Sequence, residues 1–409
     1  MDLAFAAAAR DLDDRGRRFA QELAYGVVRL RGRLDHLLDH HLDRGLDGVT
    51  PPVLDLLRVG AYQLLHMDGV PAYAAVSEAV AEARRREGRG AAGLVNAVLR
   101  AVAATGEDPA LFPDPADAPA EWLATWGSHP RWLVERWLGR WPADEVERLV
   151  EANNRVPPLC VVPLRLSPGA AVRRLAAEDV RARTVEGTDA VEVEGADPRT
   201  VLRAVDAVVQ DPGSSLVVRY ADAPAGLLVV DLCAAPGGKA LSLAADGRPV
   251  LACDRSVRRL RLVVENAVRT GVTLWPVAAL AERPPVVDAP VVLVDVPCTG
   301  TGTLRRHPDA RWRLKPEDVR ALATVQAGIL RGAADVVSSG GLLVYSTCTL
   351  EPEENEEVVD AFLDERSDFR MERSDGAVDR NVVDTRGRLR VLPWRTGFDG
   401  AFAVRLRRQ

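Results

Sequence analysis

The stretch Leu227–Leu241, LLVVDLCAAPGGKAL, determines how the rest of the chain can be interpreted. It opens with a short apolar run, Leu227–Val230, which ends in Asp231 and is followed by a Pro-Gly-Gly turn that leads into a helix at Lys239. A buried parallel strand that runs into a glycine-rich turn has this pattern, and such a turn lets the backbone approach a ligand closely. The stretch therefore predicts the first strand, turn and helix of a Rossmann-like sheet.

Two common phosphate-binding turns do not fit these residues. A P-loop would have glycine at the position of Cys233 and serine or threonine at the position of Ala240. The dinucleotide fingerprint separates its first two glycines by one residue, whereas Gly237 and Gly238 are adjacent. What remains is a turn suited to a nucleoside that carries a charged tail.

A second strand and helix follow at the spacing that this fold requires. Pro249–Cys253 predicts a strand that ends in Asp254, and Ser256 begins a helix that runs to Thr270. In doubly wound sheets, an acidic residue roughly 20 positions beyond the first glycine turn accepts hydrogen bonds from a ribose. Asp254 fits that role, but an aspartate at this place also suits the start of a helix as its cap, and the segment alone does not decide between the two.

From residue 216 to the end, strand-like and helix-like segments alternate. The longest helical pattern covers Pro316–Ser338, and the tail, RLRVLPWRTGFDGAFAVRLRR, holds two further strand-like runs. Alternation of this kind predicts a parallel α/β sheet, to which the tail adds an antiparallel hairpin at one edge. We predict the parallel strands at Gly226–Asp231, Pro249–Asp254, Val272–Val277, Val291–Asp295 and Gly341–Thr347.

The composition indicates a water-soluble protein of several domains. With 409 residues, 47% of them hydrophobic, the chain is long enough for two or three domains. No apolar run is long enough to cross a bilayer, and the N-terminal segment MDLAFAAAARDLDD is acidic where a secretion signal is basic. The five cysteines are scattered, which favours free thiols in the cytoplasm, and no cysteine or histidine cluster has metal-ligand spacing. The net charge of −6 does not indicate a nucleic-acid-binding protein, so local arginine clusters are more informative than the total.

Residues 1–108 predict a bundle of helices, because apolar positions recur at helical spacing in Phe19–Leu38, Val53–Leu65, Ala75–Ala83 and Leu94–Val102. The segments ELAYGVVRLRGRLDHLL, LLRVGAYQLLHMDGVPAYAAVSEAV and GAAGLVNAVLR resemble the NusB-type RNA-binding domain. The resemblance is to the version fused to bacterial ribosomal RNA methyltransferases of the Fmu/Sun type. It implies an RNA-binding domain whose first helix is truncated here.

A basic run, RRREGR at residues 84–89, directly follows the third of these helical segments. Arg84 and Arg85 within it are candidates for phosphate contacts. The alternative is a solvated helix end, which is the commoner role of such a run.

The middle of the chain predicts a linker and a small α+β module. Residues 106–120, GEDPALFPDPADAPA, are rich in proline and aspartate, which is typical of a linker. Residues 120–215 combine a helical part, whose tryptophans are spaced to pack together, with alternating β-like runs and short helices. In the resembled family this region is a compact domain that helps to grip RNA. The motif VQDPGSS at 209–215 resembles the short segment that leads into the family's catalytic domain, here residues 216–409.

Two cysteines follow strands of the α/β part, and ligand-binding groups gather at the carboxyl ends of strands in such sheets. Cys298 lies just after the strand that ends at Asp295, and Cys348 directly follows the strand that ends at Thr347. We expect their side chains to face one another across a cleft, as free thiols rather than as a disulfide. One such cysteine would more simply be a buried apolar side chain, but two at corresponding positions indicate chemistry.

A thiolate beside a nucleoside-type cofactor suits alkylation of carbon 5 of a cytosine. Addition of Cys348 to carbon 6 would turn the ring into an enamine, whose carbon 5 can attack an electrophilic methyl group. A helix that begins near Pro352 would favour the Cys348 thiolate through its dipole. Asp295 would hydrogen-bond the base, and Cys298 would assist loss of the carbon-5 proton and release of Cys348. A base-paired cytosine would first have to be extruded from its helix.

The motifs DLCAAPGGK, DVPCTGTGTLRRHPDARW and YSTCTLEPEENEEVV together resemble the RNA cytosine-5 methyltransferases that use S-adenosylmethionine. The resemblance implies Cys348 as the nucleophile, Cys298 as the residue that releases the product, and Asp295 as a catalytic contact. The DNA enzymes place their nucleophile at the position of Cys298, so a reversal of the two roles is the alternative. The cofactor-binding residues that the resemblance implies are Cys233, Ala234, Ala235, Pro236, Gly237, Gly238, Lys239, Asp254 and Asp295.

One position departs from the family pattern. The family has an aspartate after the third strand, where it touches the adenine of the cofactor. Here the matching place holds Ala278 or Ala279, and Glu282 or a backbone contact is the candidate substitute.

A basic loop follows the first cysteine motif. We predict RNA contacts for Arg305, Arg306, Arg311 and Arg313, with Trp312 available to stack on a base. The alternative is a surface loop in which Trp312 belongs to the core.

The predicted fold class is multidomain: a helical NusB-like bundle, a small α+β linking module and a Rossmann-like methyltransferase domain. The predicted function is methylation of carbon 5 of a cytosine in small-subunit (16S) ribosomal RNA, by a monomer in the cytoplasm with no membrane or metal partner. Two other hypotheses remain: a non-catalytic RNA-binding or ribosome-assembly factor, and a methyltransferase acting on transfer RNA or a small molecule. The missing third-strand aspartate and the shortened bundle are the observations that support the non-catalytic factor.

Overall fold

The computed structural model describes residues 2–374 and 376–409. Contacts within the chain divide it into two compact units. The helical unit comprises Met1–Arg155 and Leu304–Arg313, and the α/β unit comprises Val156–Thr303 and Leu314–Gln409. The chain therefore contributes to the helical unit twice.

The helical unit is a bundle whose apolar positions face inward. Its helices are α1 (Asp2–Ala8), α2 (Asp14–Arg29), α3 (Arg31–His40), α4 (Pro51–His66), α5 (Ala72–Glu87), α6 (Arg89–Thr105), α7 (Pro119–Thr125), α8 (Arg131–Leu138) and α9 (Ala143–Asn154). Leu34, Leu57 and Leu99 are fully buried in its core. Helices α4 and α6 can approach closely because Gly60 has no side chain: a Cβ there would lie 2.5 Å from Leu99 Cδ1.

The structure divides one predicted helical run of this unit and packs its tryptophans together. The run Phe19–Leu38 is divided between α2 and α3 at Leu30, whose φ of −100° and ψ of 15° interrupt the helix. The tryptophans pack together as predicted, since Trp137 is fully buried and the rings of Trp122 and Trp126 stack with centroids 5.0 Å apart. No helix in the described part of the chain is both long and apolar enough to cross a membrane.

The α/β unit begins with a small antiparallel sheet. Its strands are β1 (Leu159–Pro163), β2 (Ala182–Thr184), β3 (Val191–Val193) and β4 (Ala207–Val209), in the order β2-β3-β1-β4. Helices α10 (Pro168–Ala176) and α11 (Pro198–Ala204) pack on this sheet. Val162 and Val208 are buried in one cluster with Leu241 and Ala267, so the module shares a core with the larger sheet that follows.

The larger sheet has eight strands in the order β10-β12-β9-β8-β5-β6-β7, with β11 paired to β12. The strands are β5 (Val229–Asp231), β6 (Val250–Asp254), β7 (Trp275–Ala278), β8 (Ala289–Asp295), β9 (Val337–Thr347), β10 (Phe369–Glu372), β11 (Leu389–Val391) and β12 (Ala401–Arg408). The helices that accompany them are α12 (Pro212–Ala221), α13 (Gly238–Ala245), α14 (Val257–Thr270), α16 (Pro316–Asp335), α17 (Glu356–Glu365) and α18 (Pro393–Thr396), while α15 (Ala310–Arg313) lies in the second segment of the helical unit.

The predicted parallel sheet with an antiparallel tail is confirmed. Strands β5 to β9 run parallel to their neighbours, and β12 runs antiparallel to β9. The tail forms an antiparallel hairpin at the edge, since β11 pairs with β12 on the side away from β9, and β10 pairs with the remainder of that side. Strand β7 begins at Trp275, three residues later than the pattern predicts, and α16 ends at Asp335 rather than at Ser338.

Strand register brings three aspartates to one edge of the sheet. Asp231 ends β5, Asp254 ends β6 and Asp295 ends β8. Asp231 pairs in register with Leu293 of β8, and Asp295 pairs with Ser346 of β9. The carboxyl ends of these four strands therefore bound the crevice in which open α/β sheets bind ligands.

Candidate active site

The turn after β5 has two glycines with different surroundings. Gly237 has a φ of +113°, in the region that side chains rarely adopt, and a Cβ there would lie 3.2 Å from Leu241 Cδ1. A Cβ at Gly238 would lie 3.1 Å from the side-chain amide of Gln210. The buried Gln210 Oε1 has no hydrogen-bond partner among the described residues. Gln210 Oε1 is thus a buried acceptor that a ligand at the turn could use.

Asp254 is buried at the end of β6, and the cap of α14 is a different residue. Asp254 Oδ1 accepts a hydrogen bond from Ser256 N at 2.8 Å. Ser256 itself caps the helix, because its side chain accepts from Arg259 N. Since the serine supplies the cap, the capping interpretation does not account for the carboxylate, and its ribose-binding role stays a prediction.

Asp231 is a further acidic residue of the crevice. Its place at the end of an apolar run did not identify it as a site residue. It is fully buried, and Cys233 N donates to its Oδ1 at 3.3 Å. Burial, and after it the carboxylate of Asp295, raise the pKa of Asp231 to about 7. Carboxylates that repel one another in this way favour the binding of a cation.

Lys239 and Asp295 form an ion pair between the glycine turn and the end of β8. Lys239 Nζ lies 2.7 Å from Asp295 Oδ2 and donates to Ser214 Oγ at 2.9 Å. Burial alone would lower the pKa of Lys239, but the charge and hydrogen bond of Asp295 raise it above its usual value. Ser346 Oγ donates to the other oxygen, Asp295 Oδ1, at 2.8 Å. The carboxylate is therefore oriented through both of its oxygens.

The structure brings the two predicted cysteines into contact. Cys298 Sγ and Cys348 Sγ lie 3.3 Å apart, and both thiols are free. The hydrogen bond with Cys348 is the largest cause that raises the pKa of Cys298, and burial adds to it. Cys348 N donates to Cys298 Sγ at 3.4 Å. The two sulfur atoms therefore lie within hydrogen-bond distance, and either thiol can donate to the other.

The Gly-Thr-Gly turn after Cys298 passes close to Cys348. Gly302 N donates to Cys348 O at 3.1 Å, and a Cβ on Gly302 would lie 2.7 Å from that same oxygen. Gly300 has a φ of +67°, and a Cβ there would lie 3.8 Å from Cys348 Sγ. Gly302 is therefore what allows the two loops to meet, and glycine at position 300 suits its positive φ.

A network of buried polar side chains, which the sequence did not predict, surrounds the two cysteine loops, the loops that carry Cys298 and Cys348. Its members are linked by hydrogen bonds and lie on both loops and on α16, β9 and the turn before α17. They are Thr299, Thr301, Gln326, Tyr345, Thr347, Thr349, Glu351, Glu354 and Asn355. The only sequence signal was the polar run TCTLEPEEN, which equally suits a solvated loop.

The structure corrects the prediction of a helix that begins near Pro352. A single 3-10 turn, Pro352–Glu354, occupies that place, and α17 begins only at Glu356. One turn aligns too few peptide dipoles to act as a helix end. The contact with Cys298, rather than a helix dipole, is therefore the interaction that the structure provides to Cys348 Sγ.

Arg311 lies in the interior of the helical unit, which corrects its predicted role as an RNA contact. Its side chain is fully buried and so cannot reach a phosphate. Burial, together with the charge of Arg29, lowers the pKa of Arg311 to about 9. The guanidinium donates to five oxygens of this unit: Arg29 O, Ser128 O, Asn153 O, Asn154 Oδ1 and Leu304 O.

Two neighbours of Arg311 are also structural. Trp312 Nε1 donates to Val28 O at 2.7 Å, which agrees with the alternative that places this ring in the core. Arg305 is 7% exposed, and its carbonyl accepts a hydrogen bond from Arg29 Nη2. Burial removes Arg305 from the predicted phosphate contacts as well.

The remaining predicted RNA contacts lie at the surface of the helical unit. Arg306 is partly exposed, and Arg313, Arg84 and Arg85 are exposed. Arg85 forms an ion pair with Glu82, one turn earlier in α5, as expected of a solvated helix end. A role in RNA binding stays a prediction for these four arginines.

The departure after the third strand is visible in the structure. Ala278 is exposed at the end of β7, and Ala279 N donates to Asp254 O at 3.2 Å. Glu282, the candidate substitute, is also exposed.

Among the described residues, no cluster of histidine, cysteine and acidic side chains could hold a metal ion.

Three family descriptions match successive parts of the chain. Residues 1–104 match the NusB family, and residues 129–199 match the ferredoxin-like domain of RsmF/B-like methyltransferases. Residues 222–407, which include both cysteine loops and the glycine turn, match the 16S rRNA methyltransferase RsmB/F.

Similar proteins extend over nearly the whole chain. The probable ribosomal RNA small subunit methyltransferase B of Bacillus subtilis is 33% identical over 98% of this chain and 92% of its own length. Ribosomal RNA small subunit methyltransferase B of Thermus thermophilus is 38% identical over 97% of this chain and 89% of its own length. A putative methyltransferase of Mycobacterium tuberculosis, Rv1407, is 38% identical over 84% of this chain and 77% of its own.

Solved structures share the fold at lower identity. The crystal structure of PH0851 has a TM-score of 0.80 and 24% identity, over 98% of this chain and 92% of that one. The structure of NSun6 from Pyrococcus horikoshii has a TM-score of 0.58 and 19% identity, over 68% of this chain and 98% of that one.

Proposed function

The chain belongs to the RsmB/F family of 16S ribosomal RNA methyltransferases, and we propose that it methylates carbon 5 of a cytosine in that RNA through a covalent cysteine adduct. It is an RNA methyltransferase that uses S-adenosylmethionine, which excludes the hypothesis of a non-catalytic factor. The observation that carries the finer proposal is the 3.3 Å separation of the Cys298 and Cys348 sulfur atoms, at the ends of neighbouring parallel strands. We further propose that the protein is a monomer, and that it acts in the reducing cytoplasm because all five cysteines are free thiols.

The glycine turn and the strand ends fit S-adenosylmethionine, which carries ribose hydroxyls and positive charge. The buried Asp254 carboxylate suits the ribose, and the mutually repelling Asp231 and Asp295 suit a cation. The unpartnered Gln210 Oε1 suits a ligand donor at the turn. Bound there, S-adenosylmethionine supplies an electrophilic methyl group. The residues proposed to hold it are Cys233, Ala234, Ala235, Pro236, Gly237, Gly238, Lys239, Asp254 and Asp295.

Asp295 holds the target base in this proposal. Lys239 Nζ and Ser346 Oγ orient its carboxylate, at 2.7 Å and 2.8 Å. A carboxylate accepts about four hydrogen bonds, so lone pairs remain for the exocyclic amino group of cytosine. The base has to leave any stack or pair to reach this position.

Cys348 acts as the nucleophile. Either sulfur can donate the hydrogen bond that joins the pair, and the resemblance to the RNA cytosine-5 methyltransferases supports Cys348 as the sulfur that attacks. The Cys348 thiolate adds to carbon 6 of the cytosine, and the electron pair of the carbon 5–carbon 6 bond moves to carbon 5. Carbon 5 thereby becomes nucleophilic, which divides one difficult alkylation into two easier steps.

Cys298 completes the cycle. After Cys348 has bonded to the base, Cys298 gives its own proton to water and is then free to act as a base. The Cys298 thiolate then takes the proton from carbon 5, the electron pair of that bond restores the ring double bond, and Cys348 leaves as a thiolate. One proton is released for each methyl group transferred.

The roles of the two thiols can be tested with unmodified 16S ribosomal RNA and labelled S-adenosylmethionine. We expect wild-type protein to incorporate label at carbon 5 of cytosine, and both Cys348→Ala and Cys298→Ala to lose turnover. Cys298→Ala should accumulate a covalent protein–RNA adduct that survives denaturing electrophoresis, because release is blocked, whereas Cys348→Ala should form none.

Two controls separate the alternatives. Unmodified transfer RNA in place of ribosomal RNA should give no incorporation, and label in transfer RNA instead of ribosomal RNA would contradict the proposed substrate. An adduct in Cys348→Ala and not in Cys298→Ala would show that the two roles are reversed.

A further inference from the structure

A fully buried glutamate contacts the residues next to both cysteines. Glu354, at the end of the turn Pro352–Glu354, has an exposed fraction of 0%. Its Oε1 accepts hydrogen bonds from Thr299 N and Gln326 Nε2, both at 2.9 Å. Its Oε2 accepts from the hydroxyl of Thr349 at 2.9 Å and from the hydroxyl of Thr299.

These contacts join the two cysteine loops through a single carboxylate. Thr299 directly follows Cys298, and Thr349 directly follows Cys348. The two threonine hydroxyls also lie within hydrogen-bond distance of each other, at 2.8 Å. Movement of either loop would therefore break hydrogen bonds to Glu354.

The rest of the fold holds Glu354 in place. Gln326 of α16 donates both to Glu354 Oε1 and to Pro297 O, at 2.9 Å each. Tyr345 of β9 donates its hydroxyl to Glu354 O at 2.6 Å. The carboxylate is thus fixed by a helix and by the strand that leads to Cys348.

Stability alone does not account for a carboxylate at this place. The four groups that donate to Glu354 are neutral, and burial raises the pKa of Glu354 although these hydrogen bonds oppose the rise. Burying a carboxylate without a cation costs free energy, and well-packed apolar residues commonly replace buried charges without loss of stability. The arrangement therefore indicates that the Glu354 carboxylate serves to hold the two cysteine loops in a defined geometry.

We propose that Glu354 is a positioning residue of the methyl transfer, which sets the separation of the Cys298 and Cys348 sulfur atoms. The inference rests on the proposed function, in which Cys298 takes a proton from carbon 5 of the base that Cys348 holds. That step needs the two sulfur atoms close together, and a displacement of about 1 Å in a reacting group can lower a rate about 100-fold.

The separation of the sulfur atoms can be measured without substrate or cofactor. Diamide, an azo compound, takes two electrons and two protons from a pair of thiols that can approach each other and joins them as a disulfide. Mass spectrometry of proteolytic peptides reports the Cys298–Cys348 disulfide as a function of time. We expect Glu354→Ala to form it about tenfold more slowly than the wild type, because the loops are no longer held together.

Glu354→Gln is the matched variant that keeps the hydrogen bonds and removes the charge. Its amide oxygen can accept from Thr299 N and Gln326 Nε2, and its NH₂ group can donate to the threonine hydroxyls, which rotate to accept. We expect its disulfide and methylation rates to stay within about threefold of the wild type. Recovery by this variant separates positioning from a need for negative charge.

Tyr220→Phe is the control for a loss of stability alone. It removes a buried hydrogen bond from Tyr220 Oη to Gly387 O, 2.7 Å long, in another part of the α/β unit. We expect its disulfide and methylation rates to equal those of the wild type.

Single-turnover methylation connects the positioning role to the reaction. In the protein that keeps both cysteines, Glu354→Ala should lower the rate of methylation about 100-fold. Absence of an adduct in Cys298→Ala itself contradicts the proposed function, and the disulfide rate then decides the positioning role separately.

Wild-type disulfide and methylation rates in a folded Glu354→Ala protein overturn the positioning role. If that variant does not fold, Thr349→Val, which removes one hydroxyl donor to Glu354, replaces it. An unchanged disulfide rate in Thr349→Val would then overturn the inference, and a slower one would support it.

Discussion

Lys239 and Asp295 show how single side chains acquire a function from their surroundings. Lys239 was predictable as a site residue because it lies in the glycine turn, in a chain whose basic residues are almost all arginine. Its partners were not predictable, because Ser214 and Asp295 are 25 and 56 positions away in the sequence. The ion pair orients the carboxylate that we propose to contact the base.

We expect Lys239→Met to lower the rate of methylation about 100-fold, because Asp295 loses the charged donor that orients it. The variant keeps the length of the side chain and removes its positive charge. Single-turnover transfer from labelled S-adenosylmethionine to 16S ribosomal RNA measures the effect. Ser346→Ala, which removes a neutral hydrogen bond to the same carboxylate, should lower the rate only about tenfold. Equal losses in the two variants would contradict a special role for the ion pair.

Elements with their own local signals were the predictable part of the fold. Strand β5, its turn and α13 were identifiable because an apolar run, a Pro-Gly-Gly turn and a helical pattern follow one another without interruption. Strand β10 was not, because its sequence FRME is short and half charged. Its position at the sheet edge depends on long-range pairing with β12, which no local pattern reveals.

Electrostatic contacts between β10 and β12 make this edge sensitive to acid. Glu372 of β10 accepts hydrogen bonds from Arg405 and Arg407 of β12. The hydrogen bond from Arg407 is the largest cause that lowers the pKa of Glu372 to about 2. Since the unfolded value is about 4.3, the ion pairs stabilise the fold fully above that pH and are lost as the pH falls towards 2.

We expect Glu372→Gln to be less stable than the wild type at pH 6, with a difference that shrinks as the pH falls below about 4. Urea unfolding followed by circular dichroism at several pH values measures the difference. Glu365→Gln is the control, because its ion pair with Arg331 is surface-exposed and should contribute little. A difference between Glu372→Gln and wild type that is independent of pH would exclude the ion pairs as its cause.

For the molecule as a whole, the informative feature is the segment Leu304–Arg313. It follows the Cys298 loop in sequence, and its contacts belong to the helical unit. The basic composition of this segment favoured an RNA-binding loop. The burial of Arg311 was not predictable, because the acceptors of its guanidinium include Arg29 and Ser128, which are 282 and 183 residues away in the sequence. Glu354 was missed for a similar reason, since nothing local distinguishes a buried acid from its solvated neighbours.

We expect Arg311→Met to destabilise the helical unit by about 3 kcal/mol, because several buried carbonyl groups lose their donor. Denaturant unfolding followed by tryptophan fluorescence measures the loss, and calorimetric titration should find the affinity for S-adenosylmethionine unchanged. The exposed Arg313, replaced in the same way, should change stability by less than about 0.5 kcal/mol. A similar loss in both variants would contradict the structural role of the buried guanidinium.

The two separate segments of the helical unit also bear on how such a protein can be recombined. Gene fusion commonly exchanges a domain as one uninterrupted cassette, and a cut at residue 155 would separate the longer segment of the helical unit in this way. A cassette of residues 1–155 would leave behind α15, and with it the guanidinium that its own carbonyl groups require. A functional chimaera therefore has to transplant Leu304–Arg313 together with the N-terminal residues, so the two stretches are expected to be inherited as a pair.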